Sequence, residues 1–346
     1  MKLALTLEQL LPNLNQSING IGFLFGAGAS FQAGYPLMTT LTRQVVAGLT
    51  ATEKIDLTAV LIATDRTYDD TTATPNIEEI ADLTIAHALN SGDIRYSNLE
   101  RRLRDLIVHM LLSVTSPNLD HHTRFFQDLK RRTFGLPSTV WIFTTNYDVL
   151  FETAAAMAGV RLENGFSGTT TSFLDIGRFG QLHGTSDGQR FFPHSGLVVK
   201  LVKLHGSLSW YSDGGRVLEQ HPSSLAKTSP RMMVLPRRRK VMDTLSPPYD
   251  QLFALASRTI GSECKYLISC GFSYGDEHIN QNILLPALRD GRCRLTALCG
   301  FEPPGLTDFK TLPTFTGAFP VHAWSDTAQT TDTTTLWQFD QFAQAF

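Results

Sequence analysis

The sequence predicts an α/β fold built on a parallel sheet, with a helical module inserted into it. Two observations carry this expectation. Apolar runs of strand length end abruptly in glycine or polar residues and lead into helical patterns, and a long helical stretch separates the first such unit from the next. The first run is Ile21-Gly-Phe-Leu-Phe-Gly-Ala-Gly-Ala-Ser30, in which a strand gives way to two glycines two apart and then a small hydroxyl residue. Lacking Cβ atoms, Gly26 and Gly28 let backbone N–H groups approach a phosphate, and the positive end of a following helix adds to the attraction. A plain tight turn is the alternative, because the third glycine of the usual dinucleotide fingerprint is missing.

The 346 residues are 42% hydrophobic and carry a net charge of −2. This is a globular composition with no global pull toward nucleic acid or anionic membrane. The N-terminal stretch, interrupted by Glu8 and stopped by Pro12, is too short for a signal peptide, and no run approaches the ~20 apolar residues of a membrane span. A cytoplasmic protein is expected. Four cysteines, at 264, 270, 293 and 299, contain no Cys-x-x-Cys pair, so a zinc ribbon lacks its ligands and buried, reduced thiols are expected.

In chain order, residues 5 to 11 read as a short helix and 21 to 30 as strand and turn. Pro36 restarts the chain as a helix with Leu37, Leu41 and Val45 on one face. Residues 50 to 135 are helical in pattern, with Asn76/Glu79 and Ser97/Glu100 as capping boxes and a polar Thr/Asp loop from Thr64 to Pro75. The basic runs Arg101–Arg104, Lys130–Arg132 and Arg237–Lys240 read as solvated surface. A second strand, Thr139–Phe143, runs into Thr144-Thr-Asn-Tyr-Asp148 and a helix to about Ala158. Loops and a hairpin fill 160 to 195. A third strand, Leu197–Leu204, ends in His205-Gly206. A helix near 249 to 260 leads to a fourth strand, Tyr266–Cys270, and Gly271-Phe-Ser-Tyr-Gly-Asp276. A further helix, a strand at 294 to 299 and a Thr-rich tail complete the chain. Polar residues at the carboxyl ends of parallel strands are where open α/β sheets bind ligands.

These four strand ends, in this order, resemble the sirtuin family, and most closely its bacterial Sir2-like branch of NAD hydrolases in anti-phage defence. The resemblance covers roughly residues 18 to 300. It implies a sirtuin-type, Rossmann-like sheet formed by 1–49 and 136–315, with 50–135 as the inserted module and 316–346 as a tail packing on the domain. It implies NAD as substrate. Gly26, Ala27, Gly28 and Ser30 match the family's pyrophosphate turn, Thr145, Asn146 and Asp148 the stretch beside the nicotinamide ribose, His205 the catalytic histidine, and Gly271 and Ser273 the loop touching the phosphates and adenine ribose. His183, in a second His-Gly pair, is a rival for the catalytic position, but no clear strand precedes it. Two departures argue against protein deacylation: the cysteines lack the spacing of the deacylases' zinc module, and Gly34-Tyr-Pro-Leu-Met38 replaces their Ile-Pro-Asp-Phe-Arg type segment.

Loss of nicotinamide from NAD leaves an electron-poor ribose that the pocket must hold while water reaches the anomeric carbon. On this reading Asn146 positions the water or the ribose hydroxyls, His205 accepts a proton, and Asp148 orients its surroundings. Capping of the helix after Val149 is an alternative role for Asn146 and Asp148. A non-catalytic NAD or ADP-ribose sensor and an ADP-ribosyltransferase remain open beside the hydrolase. Because free NAD cleavage drains the host, control by homo-oligomerisation or by a partner such as an ATPase or Argonaute-like protein is expected. The helical insertion and the Arg237–Lys240 loop are the expected contact surfaces; no direct nucleic-acid or membrane contact is expected.

Overall fold

The computed structural model describes residues 17–225, 230–234, 247–318 and 335–346. The expected helix over 5 to 11 and the Arg237–Lys240 run lie outside the described residues. The described residues open with β1 (Ile21–Phe25), the single turn α1 (Gly28–Phe31) and α2 (Met38–Ala47), followed by α3 (Ala51–Ile62), α4 (Ile77–Ser91), α5 (Ile94–Leu112) and α6 (Asp120–Arg131). β2 (Ser138–Thr144) and α7 (Leu150–Met157) come next. Short strands β3 (Arg161–Glu163), β4 (Phe166–Gly168), β5 (Ser172–Leu174), β6 (Gly184–Ser186) and β7 (Phe191–Pro193) precede β8 (Leu197–Lys203). The remainder is β9 (Trp210–Asp213), β10 (Arg216–Glu219), α8 (Tyr249–Thr259), β11 (Tyr266–Cys270), α9 (Glu277–Ile279), α10 (Leu285–Arg289), β12 (Arg294–Leu298), β13 (Phe315–Ala318) and α11 (Phe339–Ala345).

Among the described residues, seven strands form one sheet in the order β13-β12-β11-β1-β2-β8-β3, and every pairing in it is parallel. Phe25 lies beside Cys270 on one side and Thr144 on the other, and Thr144 lies beside Lys203. The four strands whose ends carry the motifs are therefore neighbours whose carboxyl ends are level along one edge. Strands β3 and β13, from stretches read as loop and tail, complete the sheet at its two margins.

Alternation along β1 explains the layers, since successive side chains of a strand point to opposite faces. Leu24 joins a core that includes Leu252, Phe253 and Leu288. Phe23 and Phe25 join the other, with Phe125, Phe151, Phe339 and Phe342. Phe25 stacks on Phe151 at 4.9 Å and meets Phe339 edge-on at 5.4 Å. Each such buried ring contributes about 1.5–3 kcal/mol relative to exposure, so α11 is part of the core.

The helices α2 to α5 share a separate core containing Leu41, Val45, Val60, Ile80, Leu103 and Ile107. Leu208 and Met233 enter this core from beyond β8, and the half-buried Tyr35 and Tyr147 pack against it. The helical module thus lies against the loops at the sheet's carboxyl edge. Helix α6 instead packs in the sheet's core through Phe125, Phe126 and Leu129. The Asn76/Glu79 capping box forms as the sequence predicts, and Thr50/Glu53 forms another. The expected box at Ser97/Glu100 does not start a helix. Helix α5 begins at Ile94, with the Asp93 carboxylate accepting from Arg95 N–H, because an acceptor one turn earlier extends the helix past Ser97.

Candidate active site

Where β1 ends, the turn packs directly on the turn after β11. Gly26 N–H donates to Cys270 O at 3.4 Å and Gly28 N–H to Gly271 O at 3.0 Å, while Ala29 and Ser30 N–H groups donate to Gly26 O and Ala27 O. A Cβ on Gly26 would stand 2.6 Å from the Gly271 carbonyl oxygen, and one on Gly28 would stand 2.6 Å from Gly271 Cα. Gly271 itself has φ +66 and faces the backbone of Gly28 and Ala29, a conformation and an approach that suit only glycine. This contact falls where the strand order reverses, β2 lying on one side of β1 and β11 on the other, the usual crevice of an open α/β sheet. Those four N–H groups are engaged within the chain, and α1, at four residues, is too short to supply a helix dipole.

Strand β2 delivers Asn146 and Asp148 to the same turn. The Asn146 carboxamide donates to Gly26 O at 2.9 Å and to Ser30 Oγ at 2.8 Å. Ser30 Oγ donates in turn to Asp148 Oδ2 at 2.7 Å, and Asp148 Oδ1 accepts from Leu150 N–H at 3.1 Å. Asp148 therefore ties the glycine turn to the start of α7. Thr145 N–H donates to Phe25 O at 3.2 Å, which continues the β1–β2 pairing. Asn146 is 7% exposed.

The next strand end brings His205, 3% exposed, with Nε2 2.8 Å from Oδ2 of the equally buried Asp276. Val234 N–H donates to His205 O at 2.8 Å, and the Tyr147 hydroxyl donates to Val234 O at 2.6 Å. The Tyr147 and His205 ring centres are 6.5 Å apart. Burial first, then nearby carboxylates including Asp276, hold the Tyr147 phenol well above its usual range. Beneath these loops the Lys203 ammonium, 2% exposed as a residue, donates to Asp148 O, to Glu152 Oε1 at 2.8 Å and to Ser207 Oγ at 3.0 Å. One buried cation thus joins the loop carrying Asn146 and Asp148 to the loop carrying His205. Burial pushes the Glu152 carboxyl up, with Lys203 pulling the other way.

Of the residues singled out in the sequence, Gly26, Ser30, Asn146 and Asp148 form one hydrogen-bonded group, against which Gly271 packs. His205 stands in the adjoining strand-end loop. Ala27 and Ser273 are exposed, the Ser273 hydroxyl accepting from Gly275 N–H at 3.4 Å. The rival His183 lies away from this group, 3.3 Å from Glu163 on β3, and burial lowers its pKa. The sequence marks no role for Asp276, Lys203 or Glu152; a lysine within the apolar run of β8 is the available signal. A cavity of about 290 Å³ is lined by Phe31, Tyr35, Pro36, Met110 and Val114, among others. Tyr35 is close enough to Asp148 and Glu152 for their charges, after burial, to raise its pKa. All four cysteines are buried and free, and burial pushes Cys293 and Cys299 up to about 12. Among the described residues there is no cluster of three or more His, Cys, Asp or Glu side chains fit to hold a metal ion, and no helix long and apolar enough to cross a membrane.

Residues 140–290 match the SIR2-like domain family. The SIR2-like stretch takes in Asn146, Asp148, His205, Gly271, Ser273 and Asp276, and begins after the glycine turn of β1. No curated protein matches the chain. Among solved structures, Sir2Tm bound to a propionylated peptide aligns with a TM-score of 0.42 and 11% identity, over 98% of this chain and 96% of that one. A Sir2 complex with a deacetylated p53 peptide and 3′-O-acetyl ADP-ribose aligns with a TM-score of 0.40 and 13% identity, over 99% and 97% of the two chains.

Proposed function

We propose that the protein is an NAD glycohydrolase, releasing nicotinamide and leaving ADP-ribose, with Asn146 and His205 acting at the ribose and Asp148 beside them. The observation that carries this reading is the alignment of four motif-bearing strand ends on neighbouring parallel strands, β11-β1-β2-β8, along one edge of the sheet. The SIR2-like match over residues 140–290 supports NAD as the substrate. Cleavage with water as acceptor needs a group that fixes the ribose and the water and a group that takes a proton. The Asn146 carboxamide, held by the glycine turn, suits the first role. A histidine backed by a carboxylate suits the second. Deacylation is not part of the proposal, because the four cysteines are buried, free core residues that lack the spacing of the deacylases' zinc module.

The same geometry supports a restrained enzyme. Asn146 and His205 are both buried, and Tyr147 and Leu208, from the loops that carry them, pack in the core of the helical module. A substrate reaches the pair only when the loops and this module part. Moving such an equilibrium from 1:99 to 99:1 takes about 5.5 kcal/mol of differential binding, which a homo-oligomer or a partner protein can supply. A role in anti-phage defence, in the cytoplasm and switched on by a partner such as an ATPase or Argonaute-like protein, is the setting we propose.

The test is to incubate the purified protein with NAD, alone over a dilution series and with the product of a neighbouring gene, and to quantify nicotinamide and ADP-ribose. Asn146→Ala and His205→Ala should stay folded and release nothing above background; undiminished release by either removes that residue from the mechanism. Label from NAD retained on protein would identify a transferase. Saturable NAD binding without turnover under every condition would identify a sensor.

A further inference from the structure

Resting on that reading, we propose that Lys203 is a positioning residue, whose ammonium fixes the loop carrying Asn146 against the turn carrying His205. The Lys203 side chain is 1% exposed. An ammonium has three N–H donors and no acceptor. Here all three are spent within the chain, on Asp148 O, on Glu152 Oε1 at 2.8 Å and on Ser207 Oγ at 3.0 Å. With its donors used in this way, the charge serves the frame of the site rather than a substrate phosphate.

Two of the three bonds reach the loops that bear the proposed chemistry. Asp148 lies two residues after Asn146, and Ser207 two residues after His205. The bond from Lys203 to Ser207 closes the turn 203–207 on itself, with His205 at its middle. Ser207 Oγ also donates to Tyr147 O at 3.2 Å, and Leu208 N–H donates to the same carbonyl at 2.9 Å, so the residue between Asn146 and Asp148 is held to the end of that turn. Backbone holds the turn's other side: Val234 N–H donates to His205 O at 2.8 Å and Ser207 N–H to Met232 O at 3.2 Å. Folding alone does not call for a cation at this place, because a buried ion pair replaced by apolar residues of similar volume is often neutral to stability. What an apolar side chain lacks is the means to direct bonds at once to α7, to the Asn146 loop and to the His205 turn. A misplacement of about 1 Å at a reacting group costs up to ~10²-fold in rate.

The test combines Lys203→Met with Glu152→Leu, which removes ammonium and carboxylate together and leaves neither without the other. The melting temperature of this double variant should stay close to that of the wild type. Its kcat for nicotinamide release should fall roughly 100-fold with KM for NAD unchanged, as when reacting groups are displaced and substrate binding is kept. Independently of turnover, backbone hydrogen exchange should quicken about 10-fold at Leu208, whose N–H holds Tyr147 O, and stay as in the wild type within β2 and β8. Ser207→Ala deletes one oxygen and keeps the ion pair; it should lower kcat roughly 10-fold and quicken exchange at Leu208, and it carries the test if the double variant does not fold. Wild-type kcat in a folded variant, a raised KM with kcat intact, or unchanged exchange at Leu208 overturns the inference. If the wild type does not cleave NAD under any condition, the glycohydrolase reading falls, and exchange at Leu208 alone decides for or against the Lys203 assignment.

Discussion

Acidification should destabilise this protein through His122, a histidine outside the candidate chemistry. It lies on α6, 1% exposed, its ring 4.4 Å from that of Phe339 and 5.1 Å from that of Phe151. Neither ring nitrogen has a hydrogen-bond partner among the described residues. Burial, helped by the charge of His121, lowers its pKa from 6.5 to about 3. Between those values the unfolded chain binds a proton that the folded chain refuses, so stability is fully present above pH 6.5 and falls as pH falls toward 3. At about 1.36 kcal/mol per pH unit, the loss from pH 7 to pH 5 is about 2 kcal/mol, growing to about 4 kcal/mol by pH 3. In a chain of this size 2 kcal/mol corresponds to roughly 3 °C in Tm. The assay is denaturant unfolding of wild type and His122→Phe from pH 7 to pH 5, in which all other titrating groups cancel between the two proteins. The difference between them should move by about 2 kcal/mol in favour of His122→Phe. Parallel stability curves would refute the assignment of a neutral, unpartnered His122.

Three other perturbations address the frame of the site. Lys203→Met should cost about 3–5 kcal/mol in denaturant unfolding, since it leaves the Glu152 carboxylate without its cation, and adding Glu152→Leu should recover most of the loss. Gly28→Ala, whose Cβ would meet Gly271 Cα at 2.6 Å, should cost about 1–3 kcal/mol and separate the β1 and β11 turns; a neutral Tm would show that the two turns do not touch. Phe342→Ala should cost about 3–5 kcal/mol, because the ring is wholly buried against Phe23, and a loss under 1 kcal/mol would mean that α11 is not part of the core.

Local patterns in the sequence determined the elements that carry the fold. The apolar runs at 21–25, 139–143, 197–204 and 266–270 are strands, each ending within a residue or two of the expected place, because a strand buried on both faces must be continuously apolar and must stop where polar groups reach the sheet's edge. The Asn76/Glu79 cap likewise rests on residues three apart. Tertiary structure decided what has no local period. Nothing near Asp276 indicates that its carboxylate crosses to His205, and nothing near Lys203 indicates that its ammonium bridges the Asp148 and Ser207 loops. Both contacts exist because β11, β1, β2 and β8 stand side by side, a strand order imposed by the whole sheet. The glycines at 26 and 28 illustrate the division. Their spacing made a close approach legible in the sequence, read there as that of a phosphate; what the sheet brings to them is the backbone at Gly271, which leaves room for no side chain.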